Sequence, residues 1–97
     1  MSPTMSPLTE VEISTHLASV PTWQVQKGEL VKTFTFSDFK GSLAFVNKVG
    51  ELAEKAGHHP DISVNYNLVT LALSTHSEGG VTEKDFQLAK EIDALTD

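Results

Sequence analysis

The stretch that decides the fold is residues 61–74, DISVNYNLVTLALS. On either side of its centre, apolar and polar side chains alternate, which is the period of a strand with one buried face. Two asparagines near the centre tolerate the unusual backbone angles of a turn, which we expect within residues 65–68. The stretch therefore predicts a β-hairpin with two apolar rows: Ile62, Val64 and Tyr66 in the first strand, and Val69, Leu71 and Leu73 in the second.

A similar hairpin is predicted nearer the N-terminus. Residues 23–25 form a short strand candidate, and Lys27-Gly28 supplies a turn. Residues 30–36 then alternate and are rich in β-branched and aromatic side chains, as strands are. The chain thus contains the same arrangement twice, a hairpin followed by a helical segment.

The longest helix is predicted over residues 39–56, between the two hairpins. Its apolar residues recur at intervals of three and four, as they do on one buried face of a helix. Ser37 is the expected N-cap, and the charge of Asp38 is favoured near the helix N-terminus. Gly57 suits the left-handed conformation that often ends a helix.

Capping boxes mark the starts of the first and last helices. Thr9-x-x-Glu12 opens the first helix, which should end before Pro21 because residues that precede proline avoid the helical region. Thr82-x-x-Asp85 opens the last helix in the same way.

These elements follow the order α-β-β-α-β-β-α. Two hairpins and separate helices predict an α+β fold, in which a four-stranded antiparallel sheet has three helices packed on one face. We expect residues 8–97 to form a single domain and residues 1–7, which contain two Ser-Pro pairs, to be a flexible tail.

The composition argues against several classes of partner. The net charge is −6 and all seven basic residues are lysine, so the chain lacks the basic patch typical of nucleic-acid binders. With no cysteine, disulfides and thiolate chemistry are excluded. No run of about 18 apolar residues and no signal-peptide pattern is present, so we expect a cytoplasmic protein with no membrane partner.

Three of the four histidines lie close together in the sequence, at His58, His59 and His76, with Glu54 and Asp85 as nearby acids. Three interpretations are open. The histidines could be polar surface, with Asp85 serving only as part of a helix cap. They could bind catalytic zinc, although adjacent histidines are poorly placed to share one ion. They could also line a pocket for metal-free acid–base chemistry, with Asp85 or Glu54 orienting one ring.

The joint spacing of these residues resembles the pterin-4a-carbinolamine dehydratase family. The pattern is an acidic residue, a His-His-Pro motif, an aromatic residue, a third histidine and an aspartate, here Glu54, His58-His59-Pro60, Tyr66, His76 and Asp85. Flanking segments are similar too, so that the resemblance extends over roughly residues 8–95.

The resemblance implies the dehydration of 4a-hydroxytetrahydropterin to quinonoid dihydropterin, a step in tetrahydropterin recycling, without a metal or organic cofactor. It implies that His58 and His76 transfer protons, that His59 positions the pterin and that Asp85 supports them. Two weaker matches near the pocket are Glu54 and Trp23, although from its residue type alone Trp23 is favoured as a core residue over a pocket wall.

The resemblance also implies partners. Family members are homodimers or homotetramers, and their reaction supports an aromatic amino acid hydroxylase. Some members have a second role as a dimerisation cofactor of a homeodomain transcription factor. The alternative function is therefore that of a non-catalytic binding or assembly partner.

Overall fold

The computed structural model describes residues 8–96, apart from the side chain of His76. The elements of this range are α1 (Glu10–Leu17), β1 (Gln24–Gln26), β2 (Glu29–Thr35), α2 (Phe39–Ala56), β3 (Asp61–Asn65), β4 (Leu68–Leu73), a 3₁₀ turn (His76–Glu78) and α3 (Glu83–Ala94). The predicted α+β fold and its order are confirmed. The expected flexible tail lies outside the described residues. Within them, no helix combines the length and apolar character needed to cross a bilayer.

The strands form one antiparallel sheet in the order β1-β2-β4-β3. In the second hairpin Asn65 pairs with Leu68, so the turn consists of Tyr66 and Asn67. Tyr66, and not an asparagine, adopts the left-handed conformation, with φ of 53°, and the strand ends before it. The Asn67 side chain instead donates to the Phe36 carbonyl at 3.1 Å, which anchors the turn to the end of β2.

The core lies between the helices and one face of the sheet. Val69, Leu71 and Leu73 of β4 are fully buried, as their alternation predicts. Burial of an apolar side chain of this size contributes about 1.5–3 kcal/mol, and these contacts hold the two longer helices against the sheet. The helical side of the core consists of Phe45, Val49 and Ala53 from α2, and Phe86, Leu88, Ala89 and Ile92 from α3.

The capping box at the start of α1 is present. The Thr9 N–H donates to the Glu12 carboxylate at 2.9 Å, and the Glu12 N–H donates to the Thr9 hydroxyl at 3.2 Å. The first of these bonds lowers the pKa of Glu12 below its ordinary 4.5, because it favours the ionised carboxylate. The stability that this bond contributes is therefore present above pH 4.5, and it is lost as the pH falls through the lowered pKa of Glu12.

Helix α2 is capped by Asp38, so the prediction of Ser37 as the N-cap was wrong by one residue. The Asp38 carboxylate accepts from the Gly41 N–H at 2.8 Å. Ser37 stands one position too early, because an N-cap side chain reaches only the N–H groups two or three residues ahead.

The C-terminus of α2 turns the chain at Gly57. Gly57 is left-handed, with φ of 63°, as predicted. The N–H of the next residue, His58, bonds back to the Ala53 carbonyl at 3.1 Å. This pattern is a Schellman motif, and it fixes the direction of the backbone immediately before the two adjacent histidines.

A pair of glycine substitutions in and after α2 should have opposite effects on stability. Gly57→Ala should lower the free energy of unfolding by about 1–2 kcal/mol, since a Cβ disfavours the left-handed conformation. Gly50→Ala should raise it by about 0.5–1 kcal/mol, since Gly50 lies inside the helix. An added Cβ meets nothing within 4 Å at either position, so only backbone preference differs. Urea unfolding measures both, and a stability gain in Gly57→Ala would contradict this explanation.

Candidate active site

His58 and Asp85 form a buried pair between the end of α2 and the start of α3. His58 Nε2 lies 2.5 Å from Asp85 Oδ1. The Asp85 side chain is fully buried and that of His58 is 14% exposed. An ionised carboxylate only accepts hydrogen bonds. Nε2 therefore carries a proton and donates a hydrogen bond to Asp85. Nδ1 is then the ring nitrogen that Asp85 does not bind.

Asp85 is held in place by two further donors on its other oxygen. Oδ2 accepts from the Thr82 N–H at 2.9 Å and from the Thr75 hydroxyl at 3.1 Å. The Thr75 and Thr82 hydroxyl oxygens lie 2.7 Å apart, and since the proton of Thr75 is directed to Asp85, Thr82 donates to Thr75. Asp85 therefore helps to cap α3 with one oxygen and binds His58 with the other.

His59 and Glu54 form a separate pair on the surface. His59 Nε2 lies 2.5 Å from Glu54 Oε2, and the two side chains are 60% and 78% exposed. Exposed ion pairs contribute at most about 1 kcal/mol to stability, so this pair has little structural weight. The two adjacent histidines thus have different surroundings: one is fixed in the interior and the other is open to solvent.

His76 lies three residues after the end of β4 and begins the 3₁₀ turn. Its side chain lies outside the described part of the structure. Its neighbour Thr75 donates to Asp85, and the Thr75 N–H bonds to the Gly80 carbonyl at 2.9 Å. The backbone of His76 is therefore attached to the network that holds the His58–Asp85 pair.

Trp23 lies apart from this pair. It is 2% exposed, and its indole N–H donates to both carboxylate oxygens of Asp93 at 3.0 and 3.1 Å. Lys32 Nζ lies 2.8 Å from the same carboxylate. Asp93 is eight residues after Asp85 on α3, which is about 12 Å along the helix. Trp23 is thus part of the core near the other end of α3.

An open groove of about 410 Å³ lies beside His58. It runs between Ala56 at the end of α2 and one face of α3, where Leu88 lies at its base. Sequence reasoning did not single out its polar α3 residues. Their spacing of three and four after a capping box could have placed them on one helix face; they are Glu83, Lys84, Gln87 and Glu91.

In the described residues, two histidines form close pairs with acids, His58 with Asp85 and His59 with Glu54. No group of three or more such side chains converges in the geometry of a metal site, among the side chains that the structure describes. The two pairs instead have the composition of acid–base groups, an imidazole oriented by a carboxylate.

Comparison with known proteins gives consistent results. The family model described as pterin 4 alpha carbinolamine dehydratase matches residues 6–95. A protein of Acidobacterium capsulatum, provisionally named a pterin-4-alpha-carbinolamine dehydratase, is 54% identical over 91 residues, which cover 94% of this chain and 99% of that protein. A Sulfolobus acidocaldarius protein with the same provisional name is 50% identical over 88 residues, 91% of this chain and 97% of that protein.

Two solved structures are similar. A transcriptional coactivator/pterin dehydratase from Brucella melitensis has a TM-score of 0.90 at 35% identity, over 95% of this chain and all of that chain. A pterin dehydratase-like protein, described as a RuBisCO assembly factor in the alpha-carboxysome, has a TM-score of 0.61 at 28% identity, over 75% of this chain and 84% of that chain.

Proposed function

Because this chain belongs to the pterin 4 alpha carbinolamine dehydratase family and is accordingly a hydro-lyase, we propose that it dehydrates 4a-hydroxytetrahydropterin by histidine acid–base catalysis without a metal. The observation that supports this most strongly is the bond from His58 Nε2 to the buried carboxylate of Asp85. A carboxylate in this position orients the imidazole and stabilises the imidazolium that forms when the ring accepts a proton.

The proposed reaction needs two proton transfers and no oxidant. The bond between C4a and its hydroxyl oxygen breaks, and that oxygen takes a proton and leaves as water. A ring N–H of the pterin loses its proton to a base, and the electron pair of that bond forms the new double bond to C4a. Protons balance, because one is supplied and one is removed.

We assign the base to His58 and the acid to His76. In the tautomer set by Asp85, His58 Nδ1 has the free electron pair that a base requires. His76 is next to Thr75, which donates a hydrogen bond to the same aspartate. We assign His76 as the acid because its position matches an active-site histidine of the family. His59, oriented by the exposed Glu54, would position the pterin.

A dehydration assay tests this function. We expect the protein to accelerate the loss of water from freshly generated 4a-hydroxytetrahydropterin by orders of magnitude, equally with and without a chelator. Loss of activity with chelator and recovery with added metal would contradict the metal-free mechanism.

The alternative is a binding or assembly role, since one similar protein is described as a transcriptional coactivator and the other as a RuBisCO assembly factor. A folded protein that fails to accelerate dehydration would favour it. The cytoplasmic location and the link to an aromatic amino acid hydroxylase stay predictions.

We also propose that the chain forms a dimer through β3. This strand is an edge of the sheet and all of its residues are exposed. Ile62 and Val64 pair with Leu71 and Val69, so they point to the face covered by helices, yet they are 37% and 39% exposed. An edge strand without a charge in its middle is free to pair with another strand.

A second copy of the chain suits this edge. Antiparallel pairing of two β3 strands centred on Ser63 would set Asp61 of one copy opposite Asn65 of the other, so that no like charges meet. The exposed α2 residues Phe39 and Leu43 extend the apolar area, with 46% and 43% exposure.

Ser63→Lys should break this dimer. It places two lysines opposite each other at the symmetry axis, where like charges cost several kcal/mol, while Ser63 is exposed in one subunit. Sedimentation should give a dimer for the unchanged protein and a monomer for the variant. Gln26→Lys, at the other edge of the sheet, should stay dimeric. A monomeric parent protein, or a dimeric Ser63→Lys variant, would contradict the proposal.

A further inference from the structure

The groove beside His58 has a carboxylate at the end away from the buried pair. Glu91 lines the groove from α3, together with Gln87 one turn before it. Both side chains are exposed, and Gln87 Nε2 donates to Glu91 Oε2 at 3.2 Å. A carboxylate has about four acceptor positions, so Glu91 can accept further hydrogen bonds from a ligand.

A pterin ring presents complementary donors at the edge away from C4a. Its 2-amino group and the adjacent N3–H are two donors side by side, and a carboxylate can accept two parallel N–H bonds. We propose that Glu91 is a specificity-determining residue that accepts these two bonds while His58 acts on the other side of the ring. This inference rests on the proposed function, because it takes the pterin as the ligand.

The placement of Glu91 along α3 agrees with this role. Glu91 is six residues after Asp85, which is about 9 Å along the helix axis. A fused two-ring ligand with a hydrogen bond of about 3 Å at each end spans a similar length. Leu88 lies between the two ends and forms part of the groove wall.

The other charged residues of the groove suit this role less well. Lys84 has only donors, so it cannot accept from the two pterin N–H groups. Glu83 lies two residues before Asp85, at the opposite end of the helix from Glu91, and it is 3.9 Å from His16 Nε2. Of the two groove carboxylates, Glu91 is therefore the one separated from the His58–Asp85 pair by the length of a ligand.

Equilibrium binding tests the inference with two stable probes, 7,8-dihydropterin and 7,8-dihydrolumazine. The second probe has an oxygen in place of the 2-amino group, so it would direct an acceptor at Glu91. By calorimetry we expect the parent protein to prefer dihydropterin by about tenfold or more. Glu91→Gln should lose most of this preference, since its amide offers a donor to the pterin donors. Glu51→Gln removes the same charge from an exposed site on α2, outside this groove, and should retain the preference.

The outcomes separate this inference from the proposed function. An unchanged preference in Glu91→Gln, or a parent protein that binds the two probes equally or not at all, would overturn the role of Glu91. A parent protein that binds with the expected preference but does not accelerate dehydration would overturn the catalytic function and leave the recognition role supported. In an active enzyme, Glu91→Gln should raise KM about tenfold with little change in kcat, because the bonds are equal in substrate and transition state.

Discussion

Replacing His58 with alanine is expected to lower kcat for dehydration by about 100- to 10,000-fold, the usual contribution of a positioned general acid or base. His58 Nδ1 is the proposed proton acceptor, and Asp85 cannot replace it because that carboxylate is fully buried. Stopped-flow measurement on freshly generated 4a-hydroxytetrahydropterin gives the rate.

A second substitution separates the loss of the base from damage to the fold. His58→Ala leaves a buried oxygen of Asp85 without its donor, at a cost of about 1–3 kcal/mol. His58→Gln can retain a side-chain N–H for that oxygen but has no basic nitrogen, so it should fold well and be as inactive as the alanine variant. Retained turnover in a folded His58→Gln protein would show that the proton acceptor is elsewhere.

His59→Ala is the matched control for these variants. It removes the adjacent imidazole, which is 60% exposed and paired only with Glu54 on the surface. Since His59 is proposed to position the pterin, its loss should act mainly on KM, with kcat within about tenfold of the parent value. A loss of kcat as large as that of His58→Gln would contradict the division of roles between the two histidines.

Changing Asp85 to asparagine is expected to lower both activity and stability. The native carboxylate accepts from His58, Thr75 and the Thr82 N–H, whereas an amide has one acceptor oxygen and two donor protons. The amide NH2 must then face either the donors Thr75 and Thr82 or the His58 ring, which has to change its tautomer. Either arrangement should lower the free energy of unfolding by about 1–3 kcal/mol.

The loss of activity in Asp85→Asn should exceed what the stability change explains. If the amide nitrogen faces His58, Nε2 must accept, so the ring proton moves to Nδ1 and the base is lost. A tautomer reversal of this kind in a Ser-His-Asp triad lowers kcat about 10,000-fold, and we expect at least about 100-fold here.

Thr75→Val is the matched control for Asp85→Asn. It removes one donor to Oδ2 but leaves the His58 bond to Oδ1 intact. We expect a stability loss of about 1 kcal/mol with kcat within about tenfold of the parent value. If Thr75→Val were as inactive as Asp85→Asn, the activity would depend on the buried network as a whole and not on the His58 tautomer.

Local patterns in the sequence were enough to predict most of the fold. The alternation in residues 61–74 predicted a hairpin, and the spacing of Thr9 and Glu12 predicted a capping box that forms. The errors were also local. The N-cap shifted from Ser37 to Asp38. The left-handed residue of the turn is Tyr66 and not an asparagine, and the Asn67 side chain is bound to the Phe36 carbonyl.

The candidate site depends on contacts that local patterns do not contain. His58 and Asp85 are 27 residues apart in the chain, and only the packing of α3 against the end of α2 brings them together. The resemblance named both residues but could not assign the proton on the ring. His59 and Glu54 are five residues apart, so a local prediction of their pairing was within reach. The groove residues of α3 have a regular spacing in the sequence, but the spacing does not show that the end of α2 forms the opposite wall of a groove.

The measurement that tests the proton-transfer mechanism most directly is the tautomer of His58 in the parent protein. Long-range ¹H–¹⁵N correlation, at a pH where the ring is neutral, shows which ring nitrogen carries the proton, and the signal missing from His58→Gln assigns it. We expect the proton on Nε2 and the free electron pair on Nδ1. A proton on Nδ1 of the neutral ring, in a protein that dehydrates the pterin, would contradict the role of the His58–Asp85 pair as the base.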